Sequence, residues 1–206
     1  MNNKRKGMMI VLSSPSGAGK TTLCKKILEN DKNISMSISA TTRPKRKSEI
    51  DSEDYFFYDE KKFFNYKKNG FFIETAEVFG YNYGTPKKFV EEKLIKGHDI
   101  IFDIDWQGTQ KLASYSKTDL VSIFILPPST KDLENRLKKR AEDSINTVRK
   151  RMLKAKAEIS HWIEYDYVLI NDNLELCMKN IQNIIFVERL KRHRQFSIFE
   201  FVEKLI

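Results

Sequence analysis

A short apolar run, followed by a glycine-containing turn and a helical pattern, constrains the fold of this chain more than any other feature. The run, residues 8–12, reads MMIVL, which is typical of a strand buried on both faces. The next residues read SSPSGAGK, and residues 21–30 place apolar side chains at helical spacing. A buried strand, a tight turn and a helix predict an α/β protein with a mainly parallel sheet.

The turn nearly matches the phosphate-loop pattern G-x-x-x-x-G-K-[S/T], with Ser14 in place of the first glycine. Gly17 and Gly19 allow the backbone to turn its N–H groups toward phosphate oxygens, and the next helix adds its positive N-terminal end. Lys20 can reach the β- and γ-phosphates, and Thr21 can offer its hydroxyl to Mg²⁺. The sequence therefore predicts a nucleoside triphosphate site that comprises Ser14, Pro15, Ser16, Gly17, Ala18, Gly19, Lys20, Thr21 and Thr22.

The rest of the chain continues the alternation of strands and helices. Further core strands are predicted at 34–38, 99–104, 121–126 and 167–170, and helices at 86–96, from 131 to about 163 and at 174–191. Short aromatic runs within residues 55–85 predict a small mixed β lobe. The two cysteines have neither disulfide-framework nor metal-site spacing, and no apolar run approaches the roughly 18 residues of a membrane span. We expect a cytoplasmic protein with no membrane partner.

Several motifs follow the phosphate loop in a characteristic order. They read SATTRPKR at 39–46, DY at 54–55, FIE at 72–74, YNYGT at 81–85 and DIDWQG at 103–108. This succession closely resembles the guanylate kinase family, over about residues 8–194. The resemblance implies transfer of the γ-phosphoryl group of MgATP to GMP, and to dGMP as well. It also implies a P-loop NTPase fold, in which one domain (1–206) comprises a core (1–38, 96–130, 157–206), a GMP-binding lobe (39–95) and a lid (131–156).

The chemistry of these residue types suits a nucleoside monophosphate. Two arginines three residues apart, Arg43 and Arg46, can hold a phosphate through forked N–H donors. A carboxylate such as Glu74 can accept from both N1–H and the N2 amine of guanine, whereas adenine offers an acceptor at N1 and no N2 amine. The GMP-binding residues that the resemblance implies are Ser39, Arg43, Arg46, Tyr55, Glu74, Tyr83, Thr85 and Asp105.

The net charge of +9 first indicates nucleic acid as a partner. However, residues 131–156 hold ten basic and four acidic residues, and most of the rest is nearly balanced. A nucleic-acid surface would interleave basic residues with exposed aromatics, whereas this charge lies in one helical segment that resembles the family lid. We therefore expect no nucleic-acid partner. The resemblance implies that Lys20, Arg43, Arg136, Arg140 and Arg151 act in catalysis.

Two further assignments concern the end of the core sheet. Asp103 follows an apolar strand and resembles a carboxylate that holds Mg²⁺ through water, together with Thr21. Asn171 matches a family position near the ATP adenine. The alternative function is a non-catalytic guanylate-kinase-like interaction module, although such modules degrade the phosphate loop that this chain retains. Both a monomer and a homo-oligomer remain open.

Overall fold

The computed structural model of the protein describes residues 5–78, 80–140 and 145–206. The strands are Met9–Ser13 (β1), Ile34–Met36 (β2), Ala40–Thr41 (β3), Phe56–Phe57 (β4), Phe72–Val78 (β5), Tyr81–Pro86 (β6), Asp99–Phe102 (β7), Leu120–Leu126 (β8) and Tyr167–Ile170 (β9). The helices are Lys20–Asn30 (α1), Glu60–Lys68 (α2), Lys87–Ile95 (α3), Trp106–Ser116 (α4), Thr130–Arg140 (α5), Ile145–Ile159 (α6), Leu174–Arg189 (α7) and Phe196–Val202 (α8).

The core is a parallel sheet in the strand order β2-β7-β1-β8-β9. Strand β1 lies at its centre and is buried along its whole length, which explains its unbroken apolar sequence. Ile10 packs on one face with Leu23 and Ile181, whereas Val11 packs on the other with Val90. This arrangement confirms the predicted α/β fold with a parallel sheet. It also brings the carboxyl ends of all these strands to one edge, where such sheets bind ligands.

A second sheet, in the order β4-β3-β6-β5, forms the predicted mixed lobe. Strand β3 pairs in parallel with β4 and antiparallel with β6, and β5 pairs antiparallel with β6. Helix α2 lies within the range where only strands were expected, and it begins where the Asp59 carboxylate accepts a 2.7 Å hydrogen bond from the N–H of Lys62. Helix α3 falls in the predicted lobe range, yet its buried Val90 and Leu94 pack on the core sheet.

Helices α5 and α6 carry most of the basic segment. One continuous helical stretch was expected, whereas the structure has two helices that pack through Leu133, Leu137 and Ala155. Helices α5 and α6 thus have a small apolar contact of their own. Among the described residues, no helix is long and apolar enough to cross a membrane.

The N-terminal basic residues are bound into the core. Arg5 donates two hydrogen bonds of 2.7 and 2.9 Å to the fully buried carboxylate of Asp99, and Arg189 donates a third of 2.7 Å through Nε. The backbone N–H of Met8 completes the set at 2.9 Å. Lys6 forms a 2.7 Å ion pair with Asp119. Arg5 and Lys6 thus neutralise internal carboxylates.

Candidate active site

The phosphate loop joins β1 to α1 and borders a cleft of about 660 Å³. Gly17 and Gly19 have φ angles of 93° and 102°, in the left-handed region that favours glycine, and Gly19 is the N-cap of α1. The cleft therefore lies at a helix N-terminus, which attracts anions. It is lined by Ser14, Ser16, Gly17, Gly19, Lys20, Thr21, Thr22, Lys25, Asp103, Arg136 and Glu158.

Lys20 and Asp103 form an ion pair across this cleft. They meet because β1 and β7 are adjacent and parallel, so that the residues following the two strands lie at the same edge of the sheet. The Asp103 side chain is 40% exposed, so its carboxylate remains accessible from the cleft. The structure thus brings together the lysine and the carboxylate that the sequence indicated separately.

Arg136 and Asn171 both contact the Ala18 carbonyl of the phosphate loop. Arg136 donates 3.4 and 3.1 Å hydrogen bonds to the carbonyl oxygens of Ala18 and Asn171. The Asn171 carboxamide donates a 2.8 Å hydrogen bond to the same Ala18 carbonyl and is buried. Arg151 lies half-buried on α6, and the side chain of Arg140 lies outside the described part of the structure. Among these three arginines, Arg136 thus has a described contact with the loop.

Glu158, on α6, is a cleft residue that the sequence reasoning did not identify. Its Oε2 accepts a 3.2 Å hydrogen bond from the backbone N–H of Ser16 in the phosphate loop. The two residues are 142 positions apart, and an isolated glutamate in a charged helix carries no local signal of such a contact. Helix α6 thus places a carboxylate against a loop amide.

Arg43, Tyr55 and Tyr83 cluster in the small lobe. The Arg43 guanidinium lies 5.4 Å from the centre of the Tyr55 ring, and the centres of the Tyr55 and Tyr83 rings are 6.0 Å apart. Glu49, which was not singled out from the sequence, binds Arg43 at 2.6 Å and accepts a 2.8 Å bond from the N–H of Arg46. The hydrogen bond from Arg43 lowers the pKa of Glu49, which therefore stays ionised. A glutamate in a loop of basic residues was the available signal for this pairing.

Glu74 owes its position to an irregularity in the pairing of β5 with β6. Phe72 pairs with Pro86 and Thr75 with Gly84, so two residues of β5 lie opposite Thr85 alone, as in a β-bulge. The Thr85 hydroxyl donates a 2.9 Å hydrogen bond to Glu74 Oε1. Glu74 is only 7% exposed, and burial raises its pKa, although the bond from Thr85 opposes this shift. The lobe thus holds a buried, partly hydrogen-bonded carboxylate.

Ser39 and Asp105 have described structural contacts. The Ser39 carbonyl accepts a 2.9 Å bond from Phe56, and Asp105 caps α4 by accepting a 3.0 Å bond from the N–H of Gly108. Asp105 is also close enough to Glu74 for its charge to raise the pKa of that carboxyl. Burial raises the pKa of the Tyr55 hydroxyl, and the charge of Asp103 adds to this shift. The segment after β7 therefore faces both the phosphate cleft and the small lobe.

The donor set of the cleft suits a metal ion held largely by substrate. Among the described residues no group of three or more His, Cys, Asp or Glu side chains could hold a metal ion. Thr21 and Asp103 line the same cleft and supply one hydroxyl and one carboxylate. Mg²⁺ is commonly bound by one or two such protein groups, with water and phosphate oxygens as its other ligands. These residues therefore fit Mg²⁺ bound together with a nucleotide.

Comparison with known proteins agrees with this geometry. A family model described as guanylate kinase matches residues 6–188. A guanylate kinase of Paramagnetospirillum magneticum is 51% identical over 201 residues, which cover 98% of this chain and 94% of that protein. One from Agrobacterium fabrum is 48% identical, with 98% and 92% covered. The crystal structure of guanylate kinase from Anaplasma phagocytophilum superposes with a TM-score of 0.75 at 39% identity and covers 98% of this chain and 96% of that one.

Proposed function

Since the chain belongs to the guanylate kinase family and is an ATP:GMP phosphotransferase, we propose that ATP binds over its phosphate loop and GMP against its small sheet. One observation carries this assignment. Asp103, directly after β7, is in ion contact with Lys20. Helix α4, which follows Asp105, contacts the small lobe through a hydrogen bond from Lys111 to the Thr75 carbonyl of β5, so the two binding regions adjoin. No comparison favours the alternative of a non-catalytic module.

On the donor side, the loop amides and Lys20 bind the β- and γ-phosphates. Lys20 exchanges its contact with Asp103 for a phosphate oxygen, and Arg136, already anchored at the loop, supplies positive charge from the lid. Arg140 and Arg151 complete the positive surface when the lid closes. We propose that Thr21 and Asp103 hold Mg²⁺ through hydroxyl and water-mediated contacts. When bound, the ion would neutralise charge on the phosphate oxygens.

On the acceptor side, Arg43 and Arg46 bind the GMP phosphate with hydroxyl donors from Tyr55 and Tyr83. The Glu49 carboxylate fixes the direction of the Arg43 guanidinium before substrate arrives, which lowers the entropy lost on binding. The GMP phosphate is largely dianionic near neutral pH, because its second pKa is about 6. The attacking oxygen therefore needs no general base, and catalysis rests on positioning and electrostatics.

For the base, we propose that Glu74 accepts hydrogen bonds from guanine. Thr85 occupies one lone pair of Glu74 Oε1 and leaves the other oxygen positions for N1–H and the N2 amine. Ser39 and Asp105 flank the same site. Glu74 would be left without these donors beside adenine, and an unsatisfied buried polar group strongly disfavours the wrong substrate.

A coupled assay of ADP formation with GMP, dGMP, AMP and UMP tests this function. We expect turnover of GMP and dGMP and little turnover of AMP and UMP. Equal turnover of AMP and GMP would contradict the role of Glu74. Lys20→Ala should abolish turnover with an unchanged circular dichroism spectrum, and near-normal activity would rule out the phosphate-loop mechanism. Lys26→Ala is the matched control, because Lys26 lies on the same helix and pairs with Glu175 away from the cleft.

The division into core, lobe (39–95) and lid (131–156) stays a proposal, as do the use of dGMP, a cytoplasmic location and the absence of a nucleic-acid partner. The packing of α3 on the core sheet favours ending the lobe before Lys87. The separate apolar contact between α5 and α6 supports treating them as one lid.

A further inference from the structure

Asn171 is held between the core sheet and the phosphate loop. Its backbone N–H donates a 2.8 Å hydrogen bond to the carbonyl of Leu126, at the end of β8. Its side-chain Nδ2 donates a 2.8 Å bond to the carbonyl of Ala18. Only 4% of the residue is exposed. Both its main chain and its side chain thus serve internal contacts, and little of its surface is accessible to a nucleotide base.

The contact fixes one peptide plane of the loop. In a trans peptide the carbonyl and the following N–H point in opposite directions. The Ala18 carbonyl points to the buried Asn171, so the N–H of Gly19 points away from Asn171, and Gly19 itself lines the cleft. A flipped plane would aim a carbonyl oxygen at the phosphates. The bond to Ala18 therefore favours the orientation that binds anions.

The contact between Asn171 and the loop leaves no room for a side chain at position 19. A Cβ atom on Gly19 would lie 2.5 Å from Asn171 Nδ2, closer than such atoms approach in proteins. The carboxamide therefore packs directly on the α-carbon of Gly19. Arg136 donates to the same Ala18 carbonyl over a longer distance, 3.4 Å, and to the carbonyl of Asn171 at 3.1 Å. Of the two donors to the Ala18 carbonyl, Asn171 thus forms the shorter hydrogen bond and is the more deeply buried residue.

We propose that Asn171 is a positioning residue that orients the Ala18–Gly19 peptide for the triphosphate and does not read the adenine base. This role rests on the proposed function, because it requires that the triphosphate binds over the loop. It departs from the expectation that Asn171 contacts adenine. The proposed role therefore predicts that changing Asn171 weakens binding equally for triphosphates with and without an adenine base.

Inorganic tripolyphosphate, which has no base, separates the two roles. The full-length Asn171→Ala variant is compared with the unchanged protein in three measurements. They are the inhibition constant of tripolyphosphate, the KM values for ATP and for GMP, and the ratio of kcat/KM with ATP to kcat/KM with GTP as the phosphoryl donor. We expect tripolyphosphate and ATP to bind about tenfold more weakly, as for the loss of one buried hydrogen bond. The KM for GMP and the ATP-to-GTP ratio should not change. A general loss of folded protein would lower kcat and leave these constants unaltered.

Two further variants keep the test sharp. Asn171→Leu has a similar shape and no charge but removes the donor, so it should show the same loss even if the alanine variant folds poorly. Asp172→Ala is the matched control, because this exposed neighbour bonds only to the N–H of Asn173 among its described hydrogen bonds. Its constants should match those of the unchanged protein.

The outcomes distinguish this inference from the proposed function. If tripolyphosphate does not compete with ATP in the unchanged protein, the proposed binding of triphosphate at the loop fails. If it competes and both Asn171 variants bind it normally, the positioning role alone is overturned. A loss confined to ATP, with a changed ATP-to-GTP ratio, also overturns it and assigns Asn171 to the base.

Discussion

Replacing Glu74 by Gln is expected to lower activity with GMP and to stabilise the fold. The change keeps the size and shape of the side chain, and Gln Oε1 can still accept the hydrogen bond from Thr85. The second oxygen becomes an NH₂ group, which is a donor. Guanine presents two donors at N1 and N2, so one of them would face another donor.

The magnitude follows from these contacts. The variant loses a hydrogen bond to a charged acceptor, worth about 1.5–3 kcal/mol, and leaves a buried donor unsatisfied at a further cost of about 1–3 kcal/mol. We therefore expect a loss of roughly 3–5 kcal/mol in transition-state binding of GMP, which is about two to nearly four orders of magnitude in kcat/KM. Activity with AMP should change far less, so selectivity for GMP falls.

The expected gain in stability comes from removing a buried carboxyl group that ionises. Burial raises the pKa of Glu74, so ionising this carboxyl opposes folding. The penalty is absent below about 4.5, the ordinary pKa of a glutamate, and grows as pH rises through the raised value in the folded protein. Near neutral pH the Gln variant should gain about 1 kcal/mol in free energy of unfolding. In acid the gain should vanish.

Both effects can be measured on one preparation. Steady-state kinetics give kcat/KM for GMP and AMP, and urea unfolding at neutral and acidic pH gives the free energies. Glu77→Gln is the matched control, because Glu77 lies on the same strand and is exposed. A Gln variant with nearly unchanged kcat/KM for GMP refutes the role of Glu74 in reading guanine. A variant that is less stable at neutral pH refutes the reasoning from burial.

Two other predictions follow from described carboxylates. Asp99→Asn should lower the free energy of unfolding by about 3–5 kcal/mol in urea, because it removes the buried carboxylate that Arg5 and Arg189 share and leaves Arg189 with Asp31 alone. Lys6→Ala, at a more exposed ion pair, should cost at most about 1 kcal/mol, and similar losses would contradict the role of burial. Glu158→Gln should tighten ATP binding about three- to tenfold by calorimetry, since a neutral amide competes less well than a carboxylate for a loop amide. Weaker ATP binding would show that Glu158 supports the site.

The phosphate loop was predictable because every local signal agrees there. A buried strand, two glycines and Lys20 each favour the same strand–loop–helix unit, and the parallel sheet then brings Asp103 beside Lys20. Helix α2 was missed because its aromatic residues, such as Phe63, are equally typical of strands. The sequence contained the Asp59 cap but no clear helical periodicity.

Contacts between distant segments could not be predicted in the same way. The bond between Glu158 and Ser16 spans 142 positions and depends on how the lid meets the core. The burial of Asn171 depends on the packing of the phosphate loop over the end of β9. The position of Glu74 depends on a shift in strand pairing that leaves no local pattern. In each case the residue type was visible, but its surroundings were set by tertiary structure.

Two carboxylates occupy donors that the proposed nucleotide site would offer to phosphate groups. Asp103 contacts Lys20, and Glu158 accepts a hydrogen bond from the Ser16 amide of the phosphate loop. An arriving phosphate group therefore replaces an existing partner at Lys20 and at the loop amide, and its affinity reflects the difference between two anions. In the proposed binding mode the same exchange runs in reverse after transfer, when Asp103 and Glu158 compete with ADP for these donors. These two carboxylates would thus favour the release of ADP.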